Sequence, residues 1–208
     1  MCVCPKRFLE IDILEDVLKH CWVGNPPNNP KIIQEVKMEG FGNVDYVIAD
    51  VEEDGQSIRD FVSVELQAVD ISGSVESAYQ GILNSSPLVE SFSYGINWAN
   101  VRKRYVSQLI TKGFYHHHWG TRMISVVQKT TYDALRKDIE FDELDPKIGG
   151  NSIVFMLYEY IRNRITGAYS LHLEKVVGTS HNSLMTASLY RKAPDRDIFC
   201  KRILHRMK

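Results

Sequence analysis

Residues 43–70, NVDYVIADVEEDGQSIRDFVSVELQAVD, constrain this chain more than any other stretch. Two runs rich in β-branched and aromatic residues flank a turn at Glu52-Glu53-Asp54-Gly55-Gln56, which predicts a pair of strands. In the first, Val44, Tyr46 and Ile48 share one face and Asp45, Val47 and Ala49 the other. In the second, Val62, Val64 and Leu66 oppose Phe61, Ser63, Glu65 and Gln67. Side chains in a strand repeat every two residues, so Glu65 and Gln67 point the same way. A hairpin brings Asp45 toward them. Carboxylates within apolar strands are costly to bury unless paired or bound to a cation, and two of them with an amide make a natural Mg²⁺ site. The alternative is a pair of solvated charges on a strand edge.

A length of 208 residues suffices for one large domain. No apolar run approaches the roughly 20 residues that span a bilayer, and the opening MCVCPKRF lacks the apolar core of a secretory signal. Without such a signal, Cys2, Cys4, Cys21 and Cys200 are expected as thiols. The net charge of -1 gives no global basic field, but it does not exclude a local basic surface.

Taken in order, helical spacing of Phe8, Ile11, Leu14, Val17 and Leu18 predicts an amphipathic helix over 9–20. After the breaker-rich VGNPPNNP, the segment PKIIQEVKMEG reads as a short helix between Pro30 and Gly40, carrying Glu35 and Glu39 one turn apart. Residues 71–95 show only weak helical spacing, around 75–82. The strongest helix is predicted over 97–112, with Trp98, Val101, Tyr105 and Leu109 on its apolar stripe and Gly113 as its stop. Arg102, Lys103, Arg104 and Lys112 fall outside that stripe, a face suited equally to a phosphate backbone or to solvent. Tyr115-His116-His117-His118-Trp119 is expected as a loop, because adjacent histidines do not converge on one ion in regular structure. A strand over 121–128 and a helix capped by Thr130 or Thr131 follow, and Gly149-Gly150 is the best seam in the chain. Two further strands are expected on either side of RNRITG, where Arg162 and Arg164 face either DNA or water. A helix capped by Ser180 or Asn182 and a basic helix over 195–208 close the chain.

Four stretches resemble the NotI family of type II restriction endonucleases: CPKRF at 4–8, GNVDYVI at 42–48, VELQAVDISGS at 64–74 and KRYVSQLITKG at 103–113. The likeness is strongest between Pro30 and Gln128. A carboxylate followed by E-x-Q departs from the D…(D/E)-x-K pattern of the wider nuclease superfamily at Gln67, but agrees with this family. The resemblance implies that Asp45 and Glu65 bind Mg²⁺ with the Leu66 carbonyl, and that Gln67 orients a water or meets phosphate. Glu35, or less favourably Glu39, is placed to support a second ion. The family's N-terminal loop holds a structural iron on four cysteines. Cys4 resembles its final ligand, but only Met1 to Val3 precede it, so the chain looks shortened and no bound iron is expected.

These readings lead to an α/β fold: a restriction-endonuclease-like mixed sheet flanked by helices, with the catalytic strands in the N-terminal half. One nuclease domain is expected over 1–208, with a helix and loop remnant over 1–29, a catalytic core over 30–148 and C-terminal strands and helices over 149–208. The implied activity is Mg²⁺-dependent cleavage of double-stranded DNA by a cytoplasmic bacterial homodimer at a GC-rich palindrome. A less specific repair or mobile-element nuclease, and a DNA-binding remnant without cleavage, are the alternatives.

Overall fold

The computed structural model describes residues 5–69, 71–74, 76, 80–81, 84, 95–190 and 195–207. Within them, six strands form one mixed sheet in the order β1-β2-β3-β6-β7-β8. They are β1 (Lys31–Met38), β2 (Gly42–Val51), β3 (Ile58–Gln67), β6 (Arg122–Gln128), β7 (Ile153–Arg162) and β8 (Tyr169–Thr179). Two-residue strands β4 (Ile71–Ser72) and β5 (Gly95–Ile96) make a separate antiparallel pair. The first three strands run antiparallel, β3, β6 and β7 run parallel, and β8 returns antiparallel at the far edge. Five helices flank this sheet: α1 (Ile13–His20), α2 (Val106–Trp119), α3 (Lys129–Asp138), α4 (His181–Leu189) and α5 (Arg196–Arg206). The α/β class expected from the sequence is the one observed.

Parallel neighbours need a crossover, and α2 supplies it between β3 and β6. Alternation along the central strands then divides the core into two layers. On one face Ile48, Val62, Val64, Ile124, Val126, Val154 and Met156 pack with Phe8, Val17 and Trp22 of the N-terminal segment. On the other, Met123, Val127, Ile153, Phe155 and Leu157 pack with Tyr105, Leu109, Leu135 and Leu184 from the helices. Both faces of β6 and β7 are buried, which explains their nearly unbroken apolar sequence.

Several local expectations are corrected. Residues 30–40 form no helix; Lys31–Met38 is edge strand β1, paired with β2 from Lys31↔Ala49 to Met38↔Gly42. Gly40 and Gly42, with φ of 81° and 80°, serve the tight turn between β1 and β2. Glu35 is therefore carried by a strand. The N-terminal helix is shorter than expected, with Pro5–Glu10 as a 3-10 turn ahead of α1. The 97–112 helix is longer. It opens with Trp98–Asn100, widens into a π turn over Val101–Tyr105 and runs on to Trp119, so the histidine tract lies on a helix and not in a loop. Gly120, at φ 70°, is its C-cap. The cap of α3 is Gln128 instead of either threonine, whereas Ser180 does cap α4, accepting from the Ser183 N–H. Most of the weak helix expected over 75–82 lies outside the described residues.

Gly113 does not stop α2 but lets it approach the sheet. A Cβ there would stand 2.7 Å from Ile153 Cγ1 and 2.8 Å from Ile153 Cδ1, with His181 Cβ at 3.2 Å. Overpacking of this kind costs about 1–3 kcal/mol. Gly113→Val is expected to lower stability by about 2 kcal/mol in urea unfolding, and an unchanged midpoint would refute this packing.

Candidate active site

Beyond the pair Tyr46↔Val64 the registered pairing of β2 with β3 ends, while β3 stays paired with β6 through Gln67↔Val127. At the divergence the Asp45 carboxylate spans the two strands, its Oδ2 accepting the Leu66 N–H at 2.8 Å. This bond fixes Asp45 against the backbone of the E-x-Q motif. Glu65 and Gln67 point to the α2 side of the sheet, opposite Val62, Val64 and Leu66, as the two-residue alternation requires. All three site side chains are half-buried. Gln67 folds back along its own strand, Nε2 donating to the Ala68 carbonyl at 2.6 Å.

The inner stripe of the π turn and α2 makes this site polar. Tyr105, Leu109, Lys112 and His116 recur at helical spacing and all face the sheet, each of them buried. Three of the four meet a polar partner. Tyr105 Oη shares a 2.5 Å hydrogen bond with Ser125 Oγ, and Ser125 lies beside Glu65 in the parallel register. Lys112 Nζ donates to Glu65 Oε1 in a short ion pair, and to the Asn43 carbonyl at 3.2 Å. His116 Nε2 lies 2.6 Å from Ser63 Oγ, and its Nδ1 lies 2.7 Å from Thr121 Oγ1.

Lys112 was expected on an exposed basic face that meets either a phosphate backbone or solvent; the structure buries it to 1% exposure, away from both. The correction follows from geometry. At the 3.6-residue period, positions 105, 109, 112 and 116 form one stripe, and a lysine there must turn inward. Lys103 and Arg104 are exposed on the π turn, as expected for a surface-facing basic pair, whereas the Arg102 side chain lies outside the described residues. Arg162 and Arg164 are exposed beside the β7–β8 hairpin tip. Glu35, also exposed, falls between the pairs Gln34↔Tyr46 and Val36↔Val44, across from Asp45, and has a φ of 52°. A left-handed glutamate inside a strand is a strained position of the kind that clusters at working sites.

Burial pushes the Glu65 carboxyl above the usual carboxylate range, Lys112 pulls it back down, and the Asp45 charge adds to the rise. Glu65 thus senses the Asp45 charge while already bearing the Lys112 ammonium. Among the described residues no group of three or more His, Cys, Asp or Glu is gathered for a metal ion. Two carboxylates nonetheless fit Mg²⁺, which commonly takes one or two from protein and completes its shell with waters and phosphate oxygens. Cys2 and Cys4 lie outside the described residues; Cys21 is buried, its thiol pushed up to about 12 by burial, which leaves it inert.

A six-stranded mixed sheet flanked by helices is consistent with a restriction-endonuclease-like fold. The family model for restriction endonuclease NotI matches residues 3–171, and the chain belongs to that family. No curated protein matches the chain. Among the described residues no helix is long and apolar enough to cross a membrane.

Two stability predictions follow from this geometry. Removing one partner of a buried ion pair strands the other, so Glu65→Ala should destabilise the fold by about 3–5 kcal/mol in denaturant unfolding. Glu65→Gln, which keeps a hydrogen-bond acceptor for Lys112, should lose clearly less; equal losses would disprove the buried pair. Burial, with the Lys112 charge added, pushes His116 down to about 4, so it is neutral at pH 7. The folded state then binds fewer protons than the unfolded chain between about pH 6.5 and 4, and stability falls as pH drops through that window. His116 should contribute a loss of about 2 kcal/mol from pH 7 to pH 5 in thermal unfolding, which His116→Gln removes, leaving the smaller share of His181. An equal loss in both proteins would assign the effect elsewhere.

Proposed function

We propose that this chain is a site-specific, Mg²⁺-dependent endonuclease of double-stranded DNA. The observation that carries the reading is Asp45 clamped to the Leu66 N–H beside Glu65, in a chain of the NotI family. Asp45 and Glu65 are the proposed Mg²⁺ ligands, with the Leu66 carbonyl as a third. When bound, the ion supplies positive charge at the scissile phosphate and makes a coordinated water more acidic. Gln67, two residues from Glu65 on the same face, positions the attacking water or a phosphate oxygen through its amide. Glu35, across from Asp45, is the supporting acid.

Lys103 and Arg104 are the proposed phosphate contacts on the exposed side of the π turn, with Arg162 and Arg164 on the hairpin as a second group. A homodimer acting in the cytoplasm on a GC-rich palindrome, each protomer a single domain, completes the reading. Two-fold protein symmetry would match two-fold symmetry in the DNA.

Plasmid incubated with the protein and Mg²⁺ should give discrete fragments. Asp45→Ala should cut about 100-fold less or worse, the scale of losing a group that stabilises charge in the transition state. A smear would favour a less specific nuclease of the same superfamily, and duplex binding without cutting would favour a non-cleaving DNA-binding protein. An Asp45→Ala variant as active as the parent would overturn the site.

A further inference from the structure

The motif on β3 ends in an amide where the wider nuclease pattern carries an ammonium, yet an ammonium is present. Lys112 brings it from α2, in direct contact with Glu65 Oε1 and 3.2 Å from the Asn43 carbonyl. Asn43 lies two residues before Asp45, so Lys112 ties the start of the catalytic part of β2 to the acid on β3. Its side chain is 2% exposed and that of Glu65 16%, so the ammonium is buried and the carboxylate nearly so. Burying a lysine costs several kcal/mol even when it is paired, and an apolar residue of similar volume would serve packing as well or better. Packing alone therefore does not account for a lysine at this place.

We propose that Lys112 is a positioning residue that replaces, from helix α2, the cation missing at Gln67: it orients the Glu65 carboxylate and contributes a fixed positive charge to the site. The proposal rests on the nuclease reading for its catalytic consequence, but not for its effect on cation binding. Lys112 sets one ammonium directly against Glu65, whose carboxyl also senses Asp45. Without it the same acids would carry two uncompensated charges and hold a divalent cation more tightly, in a less defined geometry. The lysine thereby trades cation affinity for a carboxylate held in one orientation. A lysine placed at position 67 would project to the same face as Glu65 and is within reach of the same carboxylate.

The test uses the full chain and three variants: Lys112→Gln, Lys112→Met and Gln67→Lys/Lys112→Gln, each checked for folding by circular dichroism. Calorimetry with CaCl₂ alone, without DNA, reads the cation site. Lys112→Gln should bind Ca²⁺ about tenfold more tightly than the parent, the effect of removing one nearby like charge. Plasmid cleavage with Mg²⁺ should drop about 100-fold in Lys112→Gln, on kcat more than on KM. The double variant should recover about a tenfold part of it, a rescue that a purely structural lysine does not predict. Unchanged or weaker Ca²⁺ binding in a folded Lys112 variant, cleavage equal to the parent, or a double variant no better than the single, would each overturn the proposal. If the methionine variant does not fold, the glutamine variant decides, since its amide still reaches Glu65. A parent that never cuts DNA refutes the nuclease reading, and the Ca²⁺ titration then decides the role of Lys112 by itself.

Discussion

The buried ion pair between Glu65 and Lys112 is the interaction on which the site depends. It lies where an antiparallel half of the sheet gives way to a parallel half, under the helix that makes the crossover possible. An ammonium so deeply buried is tolerable only with a carboxylate and a carbonyl against it. The pair therefore sets the height and rotation of α2 over β3. Tyr105 with Ser125 and His116 with Ser63 repeat the arrangement one or two turns to either side. The helix is fastened to the sheet by three polar contacts in an otherwise apolar interface, with Gly113 permitting the approach.

Such a seam costs stability compared with leucines but selects one alignment, since a helix shifted by a residue would strand all three buried groups. That alignment matters at Asp45. Its carboxylate takes the Leu66 N–H just where β2 leaves β3, so the acid is oriented by main chain instead of by a flexible partner. The site has one wall fixed by a strand backbone and another by a helix.

How much of this was legible in advance varies with the range of the interaction. The strands over 44–51, 58–67, 122–128 and 153–162 declare themselves through β-branched residues and alternation, which are local properties. Edge strand β1 does not, because its exposed residues give no alternation and its bounding Pro30 and Gly40 imitate helix punctuation. The histidine tract misled in the other direction: three consecutive polar rings look like a loop until the helix beneath them is known. Lys112 was readable by counting at intervals of three and four from Tyr105, had its charge not argued for the surface.

By itself the sequence determined that Glu65 and Gln67 share a strand face, that Asp45 lies on the neighbouring strand, and that E-x-Q in this setting resembles one nuclease family. Period-two geometry and short-range spacing suffice for that. Only the tertiary structure decided that Lys112, 47 residues further along the chain, is buried against Glu65. It also showed that Glu35 stands across from Asp45 on a strained strand and that Gly113 is a contact instead of a stop. Each of these depends on which surfaces meet, and burial turns a lysine from a solvated charge into part of the site.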